Sequence, residues 1–195
     1  MTKVVLVTGA SGGIGEATAR RLLKAGYRVY ATARNLKTLT DLQAEGAQIL
    51  ALDVTDPVSA KAAVEDIVAA EGRIDVLINN AGYSQIGAIE TLPLERIRAQ
   101  FETNVFGLVH LTQLVLPVMR AQGGGTVINL SSIVGKLVFP GAGAYAASKH
   151  ALEAFSDALR FEVSGFGVRV VLIEPGLIRT DFTRAVEAQA VDQHD

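Results

Sequence analysis

Two side chains with complementary proton chemistry stand four residues apart in the segment Tyr145-Ala146-Ala147-Ser148-Lys149. On a helix that spacing puts a phenol and an ammonium on one face, a single turn apart. A phenol with its ordinary pKa of about 10 exchanges protons poorly at neutral pH. A neighbouring cation stabilises the phenolate, so the pair can trade a proton with an alcohol or a carbonyl oxygen. Any helix can carry Tyr and Lys at this spacing, so the pair takes its meaning from its surroundings. Ser132 is the first of these, just past a β-branched run in Asn129-Leu130-Ser131-Ser132. A hydroxyl at a strand end can donate to a carbonyl oxygen as that oxygen gains negative charge. Simple strand termination explains Ser131 and Ser132 equally well when they are taken alone.

A second constellation lies near the N-terminus, in Thr8-Gly9-Ala10-Ser11-Gly12-Gly13-Ile14-Gly15. Glycines between a strand and a helix permit a tight turn and bring backbone amides up to a pyrophosphate at the positive end of the helix. Gly9, Ser11, Gly13, Ile14 and Gly15 are therefore candidate dinucleotide contacts. The spacing G-x-x-x-G-x-G differs from the more familiar G-x-G-x-x-G. About 20 residues on, where an acidic side chain would bind the ribose 2′-hydroxyl of NAD, the sequence has Ala33-Arg34. A guanidinium holds a 2′-phosphate by charge-assisted hydrogen bonds where a carboxylate would repel it, which favours NADP(H). Asp53 and Val54 end another strand and can hold adenine through a carboxylate and a backbone amide; helix capping is the alternative for Asp53.

The elements that must position these residues follow from periodicity. Short β-branched runs at Lys3–Thr8, Arg28–Ala33, Gln48–Leu52, Ile74–Asn79, Thr126–Leu130 and Val168–Ile173 alternate with helical patterns at 13–25, 36–45, 57–71, 94–121 and 144–164. Near-continuous apolar strands separated by helices imply an α/β fold with a doubly wound parallel sheet covered on both faces. The expected strand order is 3-2-1-4-5-6. Gly26, Gly46 and Gly72 are placed to end the first three helices, and Pro57 follows Thr55-Asp56 where a helix should begin.

With 195 residues, 49% of them hydrophobic and 19% charged, the chain reads as one globular domain, 1–195, with a well-buried core. A formal charge of −2 leaves no basic face for nucleic acid or for an anionic membrane surface. The longest apolar region, Val105 to Met119, is interrupted by His110, Thr112, Gln113 and Pro117, and falls short of a membrane span. The lack of cysteine removes disulfides, thiolate chemistry and thiolate metal sites, and no His or carboxylate cluster has metal-site spacing. The cytoplasm is the expected compartment.

Taken together, Thr8–Gly15, Asn79-Asn80-Ala81-Gly82, Asn104, Ser132, Tyr145-x-x-x-Lys149 and Pro175-Gly176 through Thr180 resemble the short-chain dehydrogenase/reductase family in order and spacing, over nearly the whole chain. The resemblance implies that Tyr145 donates and accepts the proton and that Ser132 polarises the substrate oxygen. It also implies that Lys149 contacts the nicotinamide ribose and that Asn104 holds a relay water. Asn80 would lie near the adenosine ribose, and Ile178 and Thr180 at the nicotinamide carboxamide. The expected activity is hydride transfer between NADP(H) and a small alcohol or carbonyl substrate. Phe101-Glu102-Thr103-Asn104-Val105-Phe106-Gly107 resembles members acting on steroid, retinoid or other lipophilic compounds. Val134, Leu137, Phe139 and the segment Gly82–Glu90 can line an apolar substrate side, with core packing as the equal alternative. The helices at 103–121 and 144–164 imply a homodimer or homotetramer. Thr180–Ala190 can begin the family's substrate lid, but the rest of the lid and the seventh strand have no counterpart in this sequence, which is either part of a longer protein or a short form. The missing lid motivates a catalytically silent NADP(H)-binding module as one alternative, and the two apolar helices an assembly protein as another.

Overall fold

The computed structural model describes residues 2–178. Six parallel strands form one sheet: β1 (Val4–Val7), β2 (Arg28–Ala33), β3 (Gln48–Ala51), β4 (Val76–Asn79), β5 (Gly125–Leu130) and β6 (Val168–Ile173). Their spatial order is β3-β2-β1-β4-β5-β6, as the alternating pattern predicts. Central β1 pairs with β2 through Val4–Arg28 to Val7–Ala31, and with β4 through Val5–Val76 to Val7–Ile78.

The side-chain alternation of a strand explains the two layers of helices. Val4 and Leu6 join one core with Ile67, Leu111, Val115 and Met119, whereas Val5 and Val7 join a second core with Ala19, Leu39 and Leu42. The first layer thus contains α3 (Pro57–Glu71) and α5 (Gly107–Ala121); the second contains α1 (Gly13–Lys24) and α2 (Thr40–Ala44). Each fully buried Val or Leu contributes about 1.5–3 kcal/mol relative to exposure, which is why β1 tolerates no polar position. The last helix, α6 (Gly143–Val163), sends Val163 into the first core. On β6, Val168 and Val170 face that core, while Val171 and Ile173 are exposed on the other face.

Gly26, Gly46 and Gly72 take positive φ at the helix ends, where the sequence puts them. Asp56 caps α3 by accepting from the Val58 amide at 2.9 Å, with Pro57 at the first helical position.

Two helical spans differ from the periodic pattern. The span 36–45 begins as a 3₁₀ turn, Leu36–Leu39, before α2. Asn35 accepts from the Lys37 amide at 3.0 Å, and the Thr38 hydroxyl donates to the Asn35 carbonyl at 2.7 Å; such local bonds compete with the α-helical ladder. The span 94–121 divides into α4 (Leu94–Phe101), a π-helical turn Glu102–Phe106, and α5. The extra residue carried by a π turn re-aims the side chains after it. Here it lets Gly107 lie against the loop after β3, where a Cβ would stand 2.4 Å from the Val54 carbonyl oxygen. Asn104, in the middle of the turn, is 1% exposed.

Candidate active site

A cavity of about 1790 Å³ opens at the C-terminal ends of the strands, where doubly wound sheets take their ligands. At one end it is lined by Gly9, Ser11, Gly13 and Ile14. The Thr8 hydroxyl fixes this loop by accepting from the Asn80 and Ala81 amides, both at 3.0 Å, and donating to the Ile78 carbonyl at 3.2 Å. Asn80 Nδ2 donates to the Thr8 and Gly9 carbonyls at 2.9 and 3.0 Å. Gly15 is buried beneath the loop and does not line the cavity: a Cβ there would stand 2.3 Å from the Gly9 oxygen and 2.4 Å from Asn80 Nδ2. Gly12, the N-cap of α1, offers no capping side chain. The first-turn amides and the positive helix end thus face the cavity without an internal acceptor, and a dinucleotide pyrophosphate fits that cradle.

Ala33, Arg34, Asp53 and Val54 form the neighbouring wall. Asp53 does not cap α3, since Asp56 does; its Oδ1 instead accepts from the Thr55 amide at 2.9 Å and hydroxyl at 2.7 Å. Burial pushes the Asp53 carboxyl up, but the bonds from Thr55 and the charge of Arg34 outweigh it and hold the group below its usual value. Arg34 itself is exposed at the rim.

The opposite end carries the side chains singled out for proton exchange. Tyr145 and Lys149 line the cavity from the first turns of α6, and Ser132 lines it from the end of β5. Ser132 begins a 3₁₀ turn, Ile133–Gly135, by accepting from the Val134 amide at 3.3 Å. Its hydroxyl is close enough to the Tyr145 phenol to act on it, in the direction that favours the phenolate. Lys149 Nζ donates to the Leu130 carbonyl at 2.6 Å and lies 5.8 Å from the Tyr145 ring centroid. Burial pushes the phenol above its usual value against the opposing effect of Ser132. The sequence leads to a lowered phenol beside Lys149; here burial is the larger effect and the net direction is upward. Burial also pushes Lys149 down to about 8, with Glu153 acting in the other direction.

Asn104 lies behind the cavity wall rather than on it. Its Oδ1 accepts from the Tyr83 amide at 3.1 Å, and its Nδ2 donates to the Tyr83 carbonyl at 2.8 Å and to Ser148 Oγ at 3.2 Å. The π turn thereby clasps the loop after β4 to α6. A Cβ on Gly82 would lie 3.0 Å from Asn104 Oδ1 and 3.9 Å from Lys149 Nζ, so the glycine keeps a small space open between them. Ile178 reaches the cavity, whereas Thr180 lies outside the described residues.

Ile86, Val134 and Phe139 make the apolar side of the cavity, with exposed Leu137, Val138 and Leu177 among the large hydrophobic residues of the same segments. Sequence reasoning passed over Thr8, Ser148, Gly82 and Glu153. Thr8 and Ser148 lie inside motifs that were recognised, yet a hydroxyl's role as a clasp has no spacing signature. Among the described residues, no helix is long and apolar enough to cross a membrane, and no three His, Cys, Asp or Glu side chains group as metal ligands.

The short chain dehydrogenase family matches residues 3–191. The chain is 42% identical over 181 residues to the 3-ketodihydrosphingosine reductase of Bacteroides thetaiotaomicron, covering 93% of this chain and 66% of that protein. It is 40% identical over 188 residues to the NADPH-dependent 3-dehydrocapnine reductase of Ornithobacterium rhinotracheale, covering 92% and 66% respectively. The chain therefore spans just under two thirds of the length of these curated relatives. A short-chain dehydrogenase from Streptomyces avermitilis superposes with a TM-score of 0.90 at 46% identity, covering 93% of this chain and 68% of that structure.

Proposed function

Because the chain belongs to the short-chain dehydrogenase family, we propose that it transfers hydride between NADP(H) and the carbonyl or alcohol carbon of a lipophilic small substrate, with Tyr145 moving the proton. The observation that carries this reading is the meeting of Ser132, Tyr145 and buried Lys149 in the same cavity whose other end is the glycine cradle.

The bound nicotinamide supplies the hydride, which is the cofactor's own chemistry. The chain binds, orients and handles the proton. In the reductive direction the carbonyl oxygen sits against Ser132 Oγ and Tyr145 Oη. Ser132 donates to it as negative charge develops, and the Tyr145 O–H bond breaks to give the proton to that oxygen. A phenol held above its usual pKa is protonated at neutral pH, which suits a donor. The phenolate left behind gains from the Lys149 ammonium, whose carbonyl anchor at Leu130 fixes its direction. The space above Gly82, within reach of Asn104 Oδ1 and Lys149 Nζ, suits the relay water through which the phenol is reprotonated.

Arg34 at the rim, with no acid at that strand end, supports NADP(H) over NAD(H) by charge-assisted bonding to a 2′-phosphate. The apolar wall of Ile86, Val134 and Phe139 supports a lipophilic ketone, in keeping with two relatives named as reductases of a 3-keto and a 3-dehydro compound. The test is to incubate the protein with NADPH and a panel of aliphatic and cyclic ketones, following absorbance and nucleotide fluorescence together. Loss of NADPH absorbance with a lipophilic ketone is expected. Fluorescence quenching without oxidation across the panel would instead favour a silent nucleotide-binding module.

A further inference from the structure

Glu153 follows Lys149 by one turn of α6 and is 5% exposed, an unusual place for a carboxylate. It does not line the cavity. Its Oε2 is 2.8 Å from Lys136 Nζ, while neither oxygen accepts a hydrogen bond with proper geometry from any described residue. The backbone at Gly135 rests against it: a Cβ there would stand 3.0 Å from Glu153 Oε1 and 2.7 Å from the equally unpartnered Ser131 Oγ. The carboxylate therefore lies beneath the turn that Ser132 begins, and Lys136, the residue after that turn, closes over it from the solvent side.

We propose that Glu153 is a positioning residue of the active site: it is the buried countercharge of the Lys149 ammonium and, through Lys136, ties that ammonium to the turn carrying Ser132. This inference rests on the oxidoreductase reading above. A buried ammonium has three donors and needs a countercharge, and among the described residues Lys149 donates to one acceptor, the Leu130 carbonyl. Lys136 alone does not account for a buried acid. Its side chain is half exposed, so the pair contributes little by itself, whereas desolvating the carboxylate costs several kcal/mol. The charge of Glu153 opposes the effect of burial on Lys149. The charged groups that face Glu153 are Lys149 on its own helix and Lys136 after the Ser132 turn. Glu174 after β6, 3.7 Å from Lys136 Nζ, and Asp157 on α6 act on Lys136 in turn.

The test compares wild type, Glu153→Gln and Glu153→Asp by the pH dependence of kcat for ketone reduction, with NADPH affinity as the folding control. Wild-type reduction should fall through a basic limb near 8 as Lys149 loses its proton. Removing a nearby opposite charge should move that limb down by about one pH unit in Glu153→Gln, and Glu153→Asp should bring it back toward wild type. A lower kcat in Glu153→Gln with the limb unmoved would overturn the proposal and leave Glu153 a packing residue. Should Glu153→Gln fail to fold, NMR of wild type with labelled lysine and glutamate carries the test. The Glu153 carboxyl resonance should inflect at the midpoint of the Lys149 ammonium, and its absence there overturns the proposal. That readout needs no turnover, so it stands apart from any failure of the oxidoreductase reading itself.

Discussion

The two ends of the cavity are built by opposite means. The nucleotide cradle is almost neutral: amides of the Gly9–Gly15 loop, the end of α1, and a clasp of Thr8 and Asn80, with Arg34 as a single cation at its rim. The other end has Tyr145 and Lys149 on the cavity, with Glu153 buried behind them beneath the half-exposed Lys136. A cradle of backbone groups is sensitive to volume and indifferent to pH. A cluster of buried titratable groups tolerates small changes of volume and answers to every change of charge.

That contrast can be broken in stages. The largest effect is expected from Gly15→Val, whose branched side chain would drive into the Gly9 carbonyl and Asn80. Overpacking of a few kcal/mol should weaken NADPH binding by about 100-fold at every pH, read by fluorescence titration. A strongly pH-dependent loss would show that the cradle is not neutral. Next comes Arg34→Leu, which removes a charge-assisted bond of about 1.5–3 kcal/mol and should cost roughly 10- to 100-fold in NADPH affinity while leaving NADH affinity nearly unchanged. Equal losses for both nucleotides would remove Arg34 from 2′-phosphate recognition.

The smallest effect on the cavity's function belongs to a buried charge far from the site, whose loss is read in stability alone. Asp75 accepts from the Val4 amide at 2.7 Å and from Arg73 Nε at 2.9 Å. Burial pushes its carboxyl up, but these bonds win and hold it below 3.8. A carboxyl depressed in the folded state stabilises above its unfolded pKa, and that contribution is lost as pH falls through the folded value. Asp75→Asn should therefore cost about 1.5–3 kcal/mol at pH 7, and the two proteins should converge in acid, as denaturant melts would show. Catalysis by the surviving folded protein should be unchanged.

The same division governs what could be read from the residues. Strand order, the capping glycines and the loop after β1 follow from local patterns, because apolar alternation and strand-to-helix glycines are visible within short windows. For Asp53 the sequence leaves adenine contact and helix cap open; the structure removes the cap, which Asp56 provides, and Asp53 bonds Thr55 instead. The π turn at Glu102–Phe106 was not legible, since one extra residue does not disturb an apolar stripe read over a long helix. Glu153 was illegible for a different reason. A Lys and a Glu at i, i+4 normally form a solvated pair, and only the packing of the 3₁₀ turn over α6 buries this one. The upward direction of the Tyr145 phenol was illegible on the same ground, because sequence spacing reports proximity of charge and says nothing of desolvation.

The central claim is that the Tyr145 phenol moves the proton beside bound NADP(H), and Tyr145→Phe tests it most directly. That variant removes one oxygen and keeps the ring. In single-turnover reduction of a ketone accepted by the wild type, with NADPH prebound, the nucleotide should bind with wild-type affinity. Oxidation should slow by about 10²–10⁴-fold, the usual contribution of a positioned general acid. Oxidation of NADPH within a few-fold of the wild-type rate would contradict the account.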